Sequence, residues 1–159
     1  MSIKIKKSTD EDHREENGEL SKEKLLNETQ KHANDVEMGM DWFSKNIEIR
    51  GRKHDWTRIE YIDDYWGEYK KELEYEDLKK TEWYQTHINN ERHHLNAKIP
   101  EDIDLIDVLE YITDCVMATK ARFGHVDKEF ITLSPEALKK AFTNTIDLLD
   151  NEVEIEEKK

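Results

Sequence analysis

Apolar side chains return every three or four residues through most of this chain, and that period constrains its fold more than any other feature. Leu25, Thr29, Val36, Met40, Phe43 and Ile47 mark one stripe. Asp55, Ile59, Ile62, Trp66 and Leu73 mark a second, and Leu105, Val108, Leu109, Ile112, Val116 and Thr119 a third. A period near 3.6 residues puts each set on one face of a helix, so the pattern predicts an all-α chain.

Local signals set the expected boundaries. Ser21 reads as the N-cap of a first helix reaching about Asn46, and Ile49-Arg50-Gly51-Arg52 reads as a turn centred on Gly51. A second helix starts near His54 and buries its stripe, and Glu74 to Asp77 reads as a break. The third, from about Leu78 to Asn89, has Leu78, Gln85 and Ile88 on one side and Trp83 with His87 on another, the mark of a central helix. The fourth spans about Asp102 to Phe123, with Gly124 as its C′ residue. His125 to Leu133 reads as an irregular connection packed back through Phe130 and Ile131. Ser134-Pro135 then opens a fifth helix that buries Leu138, Phe142, Thr145 and Leu149 and ends near Asp150. The expected architecture is a single-domain bundle of about five main helices over residues 21–150, between a mobile charged tail at 1–20 and an acidic tail at 151–159.

Composition narrows the setting. A chain of 159 residues suits one domain, and its single cysteine, Cys115, excludes an intrachain disulfide and fits a reducing cytoplasm. MSIKIKKSTD lacks the apolar run of a signal peptide, and no stretch reaches the roughly 18 apolar residues of a membrane span. Charged residues make up 40% of the chain with a net charge of −13, which argues against a general nucleic-acid-binding surface, since phosphate contacts need Lys and Arg. The plain reading of the acid is a solvated surface with tails; the other is a face that mimics DNA. There is no internal repeat, P-loop, dinucleotide glycine fingerprint, or Ser or Cys nucleophile motif.

The chemistry-bearing residues fall in one order: His32, the pair His54-Asp55, His87, the pair His93-His94, then Asp114. Imidazole and carboxylate drawn from several helices are how a helical bundle builds a site for a divalent metal. Each residue also has a plainer explanation. His32 lies at the edge of the first stripe, where Gly39 leaves room, and is expected half-buried as a ligand or as a core histidine. Asp55 shares the apolar face of its helix, where a carboxylate is costly unless a cation meets it, or it caps the first turn. His93 and His94 point different ways, so at most one serves a given metal. Asp114 is either a solvent-facing acid or a carboxylate looking into a cavity beside Ala118 and Ala121.

This ordered set resembles the HD-domain superfamily, helical metal-dependent phosphohydrolases named for a consecutive His-Asp. Arg58 stands where many members carry Lys, three residues after the Asp. The segment Glu82-Trp83-Tyr84-Gln85-Thr86-His87-Ile88-Asn89-Asn90-Glu91-Arg92-His93-His94 is similar to the Trp, His, Asn, His-His segment of a functionally uncharacterised HD-like family of bacteria and their phages. The likeness covers about residues 30–124. It implies that His32, His54, Asp55 and Asp114 hold one divalent metal, and that His87 with His93 or His94 holds a second, with Asp55 as bridge. The ions would be Mn, Fe, Zn, Co or Mg. Asp55, Arg58 and Arg92 are the implied catalytic residues, the arginines neutralising phosphate. The implied activity is hydrolysis of a nucleotide or other small phosphorylated compound by metal-activated water. Two alternatives stand beside it: paired-iron oxygenase chemistry, as in a minority of the superfamily, and a non-catalytic acidic binding or decoy protein on a degenerate HD fold. A homo-oligomer is left open.

Overall fold

The computed structural model describes residues 2–6 and 21–156 and is all-α apart from one short strand pair. The tail readings for residues 7–20 and 157–159 fall outside the described residues. The helices are α1 (Lys22–Lys53), α2 (Trp56–Glu60), α3 (Ile62–Tyr69), α4 (Tyr75–Leu78), α5 (Glu82–Asn90), α6 (Leu105–Phe123) and α7 (Pro135–Asp150). Among the described residues no helix is long and apolar enough to cross a membrane. The chain divides into two compact units, Met1–Asn46 with Ile146–Lys159, and Ile47–Thr145.

In the first unit, Ser21 caps α1 as expected, its hydroxyl accepting from the Lys24 amide at 3.1 Å. The terminal segments are more than tails. Strands β1 (Ile3–Lys6) and β2 (Val153–Glu156) pair in parallel, setting Lys4 beside Glu154, Lys6 beside Glu156 and Ile5 beside Ile155. Opposite charges on one face and β-branched residues on the other suit such a ladder.

The second unit carries the chemistry, and its packing departs from the expected faces. α1 runs on through Gly51, which a helix tolerates at a cost of about 1 kcal/mol against alanine. One expected helix from His54 to Leu73 is two, parted at Tyr61 (φ −106°, ψ 40°). Ile59, Ile62 and Trp66 are exposed, and Thr57 is the buried residue of α2. α7 likewise turns out Leu138 and Phe142 and buries Ala137, Ala141 and Thr145, whose small size permits close approach. The core of the unit is Leu95, Ile103, Val108, Tyr111 and Ala141, with Leu105, Cys115, Ile131 and Leu133 packed against it. Ile131 therefore packs back as expected, whereas Phe130 is exposed. Thr145 Oγ1 accepts from the Leu105 amide at 2.8 Å, and the Asn144 amide donates to the Ile103 carbonyl at 2.8 Å, tying α7 to the start of α6.

One fully buried carboxylate joins the segments around the site. Asp107 forms a capping box with Asp104 at the start of α6, and its oxygens also accept from two arginines. Arg50, in the last turn of α1, donates to Asp107 and to Asp104 (2.9 Å). Arg92, from the loop after α5, is bidentate on Asp107 at 2.8 and 2.7 Å. A buried carboxylate is tolerable only when paired in this way.

Candidate metal centre

α1 ends one residue before the His-Asp pair. Asp55 then adopts a left-handed conformation (φ 55°, ψ 26°), which Asp tolerates better than most residues but which still costs on the order of 1 kcal/mol. It stands at the N-cap of α2, yet its side chain makes no capping bond, so the capping explanation does not hold. Its carboxylate faces inward instead. Oδ1 lies 3.7 Å from His87 Nε2 and 3.6 Å from His93 Nε2, and Oδ2 lies 3.9 Å from His54 Nε2.

The other donors come from α5, the loop after it, and α6. At Glu91 the backbone leaves the helix for an extended conformation (φ −101°, ψ 107°), so successive side chains alternate in direction. Glu91 and His93 are buried, and Arg92 turns to Asp107. His93 Nε2 joins His54 and Asp55 in one group of donors, and His94 joins His87 and Asp55 in another, with donor atoms in each group within 4.8 Å of one another. Asp55 belongs to both. Asp114 Oδ1 stands 3.6 Å from His54 Nε2, on the first group's side.

Outside the donors lies a layer that sequence reasoning missed. Glu110 Oε1 is 3.1 Å from His54 Nδ1 and 3.2 Å from His93 Nδ1, the latter off the line of a hydrogen bond. The Thr57 hydroxyl, fully buried, contacts His87 Nδ1 at 2.7 Å and Glu91 Oε1 at 2.8 Å. Trp83 stacks on His87 with ring centroids 5.2 Å apart and on Tyr65 at 4.3 Å, fixing the plane of that imidazole. Glu110 had one available signal, since it lies a helical turn before Asp114 on the same face. Thr57 and Glu91 had none.

Electrostatics divide the rings. Burial, then the neighbouring His94 and the Arg58 charge, push His87 down to about 3. Burial, then His93 and Arg58, push His94 down to about 4. Both are neutral at pH 7, and their Nε2 atoms share one hydrogen bond at 2.7 Å that a bound ion would have to replace. His54 is held up at about 10 by Asp114 and Glu110, so without an ion it is a cation. Burial opposes ionisation of Glu110, but the hydrogen bond from His54 and the adjacent His93 ring outweigh it and hold it at about 2. The His54 partnership lowers Asp114. Glu110 and Asp114 thus stay ionised against the His54 ring.

The donor chemistry fits divalent cations. Asp55 Oδ1 and His93 Nε2 are buried, close and without a hydrogen-bond partner. Two ligands about 2.1 Å from a single ion are roughly 3.3–3.6 Å apart, near the 3.6 and 3.7 Å that separate Asp55 Oδ1 from His93 and His87 Nε2, while His87 and His94 Nε2 stand closer at 2.7 Å. Asp55 Oδ1 lies between His87 Nε2 and His93 Nε2, one from each donor group, so this one carboxylate borders both.

Two sequence expectations change. His32 is exposed on α1 in the first unit, not half-buried, and neither donor group contains it. Arg92 is bidentate on Asp107 and also donates to the side chain and the carbonyl of Asp102, so it is engaged in positioning its loop. Arg58 remains at the site, donating to Asp55 Oδ2 at 2.7 Å with its guanidinium 5.8 Å from the centre of the Tyr65 ring. No family model, curated protein or solved structure matches the chain.

Proposed function

We propose that this chain is a metal-dependent phosphoric ester hydrolase of the HD type, acting in the cytoplasm on a nucleotide or another small phosphorylated compound. The observation that carries the reading is Asp55, whose Oδ1 is buried and unpartnered between His87 Nε2 and His93 Nε2 while the same side chain belongs to both donor groups. His54, Asp55, His93 and Asp114 would hold one ion, and Asp55, His87 and His94 the other. Divalent ions so held lower the pKa of bound water toward about 7 and offset phosphoryl charge. The chain's own residues supply the rest. Arg58 donates to Asp55 Oδ2 and would, as a planar bidentate donor beside the site, meet a phosphoryl oxygen of the substrate. Asp107, through Arg50 and Arg92, holds the ligand-bearing segments in place.

Imidazole and carboxylate donors without thiolate also suit paired ferrous iron. Oxygen consumption by the ferrous protein would assign it to oxidative cleavage instead. The test is a panel of nucleotides and small phosphate monoesters with protein loaded in turn with Mn, Co, Zn, Fe and Mg. Metal-dependent phosphate release is expected, and its loss in Asp55→Ala with helicity kept. A fully metal-loaded protein that releases no phosphate from any member of the panel would refute the hydrolase reading.

A further inference from the structure

The rings around Asp55 are held by two separate outer devices, and hydrogen-bond bookkeeping shows what each does. A hydroxyl has one proton and a carboxylate accepts only. Glu91 Oε1 already takes the Thr57 amide at 2.9 Å and the Thr57 hydroxyl at 2.8 Å, so that hydroxyl has spent its proton. Its 2.7 Å contact with His87 Nδ1 therefore requires Nδ1–H as donor. In a neutral ring the other nitrogen is then bare, and His87 Nε2 faces Asp55 Oδ1 at 3.7 Å and His94 Nε2 at 2.7 Å. Glu110 applies the same constraint to His54, whose Nδ1 meets Oε1 at 3.1 Å, and lies 3.2 Å from His93 Nδ1 off the line of a hydrogen bond. One oxygen, Oε1, sits against the Nδ1 atoms of both His54 and His93, which leaves the Nε2 atoms of both rings turned to Asp55.

We infer that Glu110 and the Thr57–Glu91 pair are positioning residues that serve different ions: Glu110 fixes the tautomer of His54 and faces His93 Nδ1 for one, and Thr57 with Glu91 fixes the tautomer of His87 for the other. This rests on the two-ion reading above. Glu91 Oε2 also approaches His93 Nδ1, at 3.9 Å and beyond hydrogen-bond reach, so each device makes its hydrogen bonds within its own donor group and each ion is expected to weaken separately. Outer partners that orient ligand imidazoles change metal affinity by about 10- to 100-fold in other proteins.

The experiment titrates full-length protein with Zn²⁺ and reads histidine tautomers by ¹⁵N–¹H NMR of the zinc-loaded form. Wild type should bind two equivalents with Nδ1–H on His54, His87 and His93. Thr57→Val, nearly the same shape without the hydroxyl, should weaken one equivalent about 10- to 100-fold and leave the other, and Thr57→Ser should restore it. Glu110→Gln, whose amide can donate to Nδ1 and reverse the tautomer, should weaken the equivalent that Thr57→Val spares. Wild type with two equivalents and variants that match it, or variants that lose both equivalents together, would overturn this inference and leave the metal site standing. Wild type with one ion overturns the division of labour, and wild type with none overturns the proposed function as well. Circular dichroism of each variant separates these outcomes from misfolding, and Thr57→Ser keeps the test decisive if Thr57→Val fails to fold.

Discussion

Asp107→Ala should be among the most destabilising single changes outside the metal ligands. The carboxylate is fully buried, takes one N–H from Arg50 and two from Arg92, and closes the capping box with Asp104. Its removal takes one of two acidic partners from each guanidinium, leaving Asp104 to Arg50 and Asp102 to Arg92, and these arginines are 26% and 33% exposed, so water recovers part of the loss. Breaking a buried pair costs about 3–5 kcal/mol, and the partial exposure argues for the lower end. At roughly 2–4 °C per kcal/mol for a chain this long, the midpoint of metal-free protein should fall by roughly 10 °C. Asp102→Ala is the matched control. Asp102 meets the same Arg92 at 2.9 Å but is 79% exposed, so its loss should cost under about 1 kcal/mol. Urea and thermal unfolding of both variants against wild type measure the difference. Equal effects, or less than about 1 kcal/mol for Asp107→Ala, would refute the argument that one buried carboxylate joins α1, the Glu91–His94 loop and α6.

Three further outcomes follow from the site. His54, held up at about 10, must lose its proton to bind an ion, so affinity should rise with pH between about 6 and 8 with close to one proton released, measurable by titration in buffers of different ionisation enthalpy. In metal-free protein the raised His54 contributes stability fully below about 6.5 and loses it as pH climbs through about 10. His87 and His94, depressed to about 3 and about 4, contribute above about 6.5 and lose it toward acid. Stability should therefore peak near neutrality and fall on both sides, and a profile flat from pH 4 to 7 would contradict the buried neutral rings. Arg58→Ala should keep both ions and raise KM for phosphorylated substrate at least about tenfold, since it removes a bidentate donor and no ligand.

How much of this was legible in the sequence differs between fold and site. Histidine and aspartate announce themselves by type, so His54, Asp55, His87, His93, His94 and Asp114 could be picked out, and the structure brings them together. Glu110 offered only its place a helical turn before Asp114, and Thr57 and Glu91 offered nothing, because acids and threonines are common and their role depends on which atom they face. Helix existence was clear from the period, but faces were less so. On α7 the large stripe through Leu138 and Phe142 outweighs the small one through Ala137, Ala141 and Thr145 on any hydrophobicity scale, yet close backbone approach selects the small one. Gly51 reads as a turn because glycine usually marks one, whereas the ion pairs of Arg50 hold that turn of α1 in place. Strands as short as β1 and β2 carry too little pattern to be seen without their partner.

The central claim is that Asp55 is shared by two ions, and elemental analysis beside equilibrium titration tests it directly. Wild type should bind two equivalents, His87→Ala should keep one, and Asp55→Ala should lose both with its helical content unchanged. Asp55→Ala binding metal as wild type does, or wild type binding a single ion that His87→Ala holds equally well, would contradict the account.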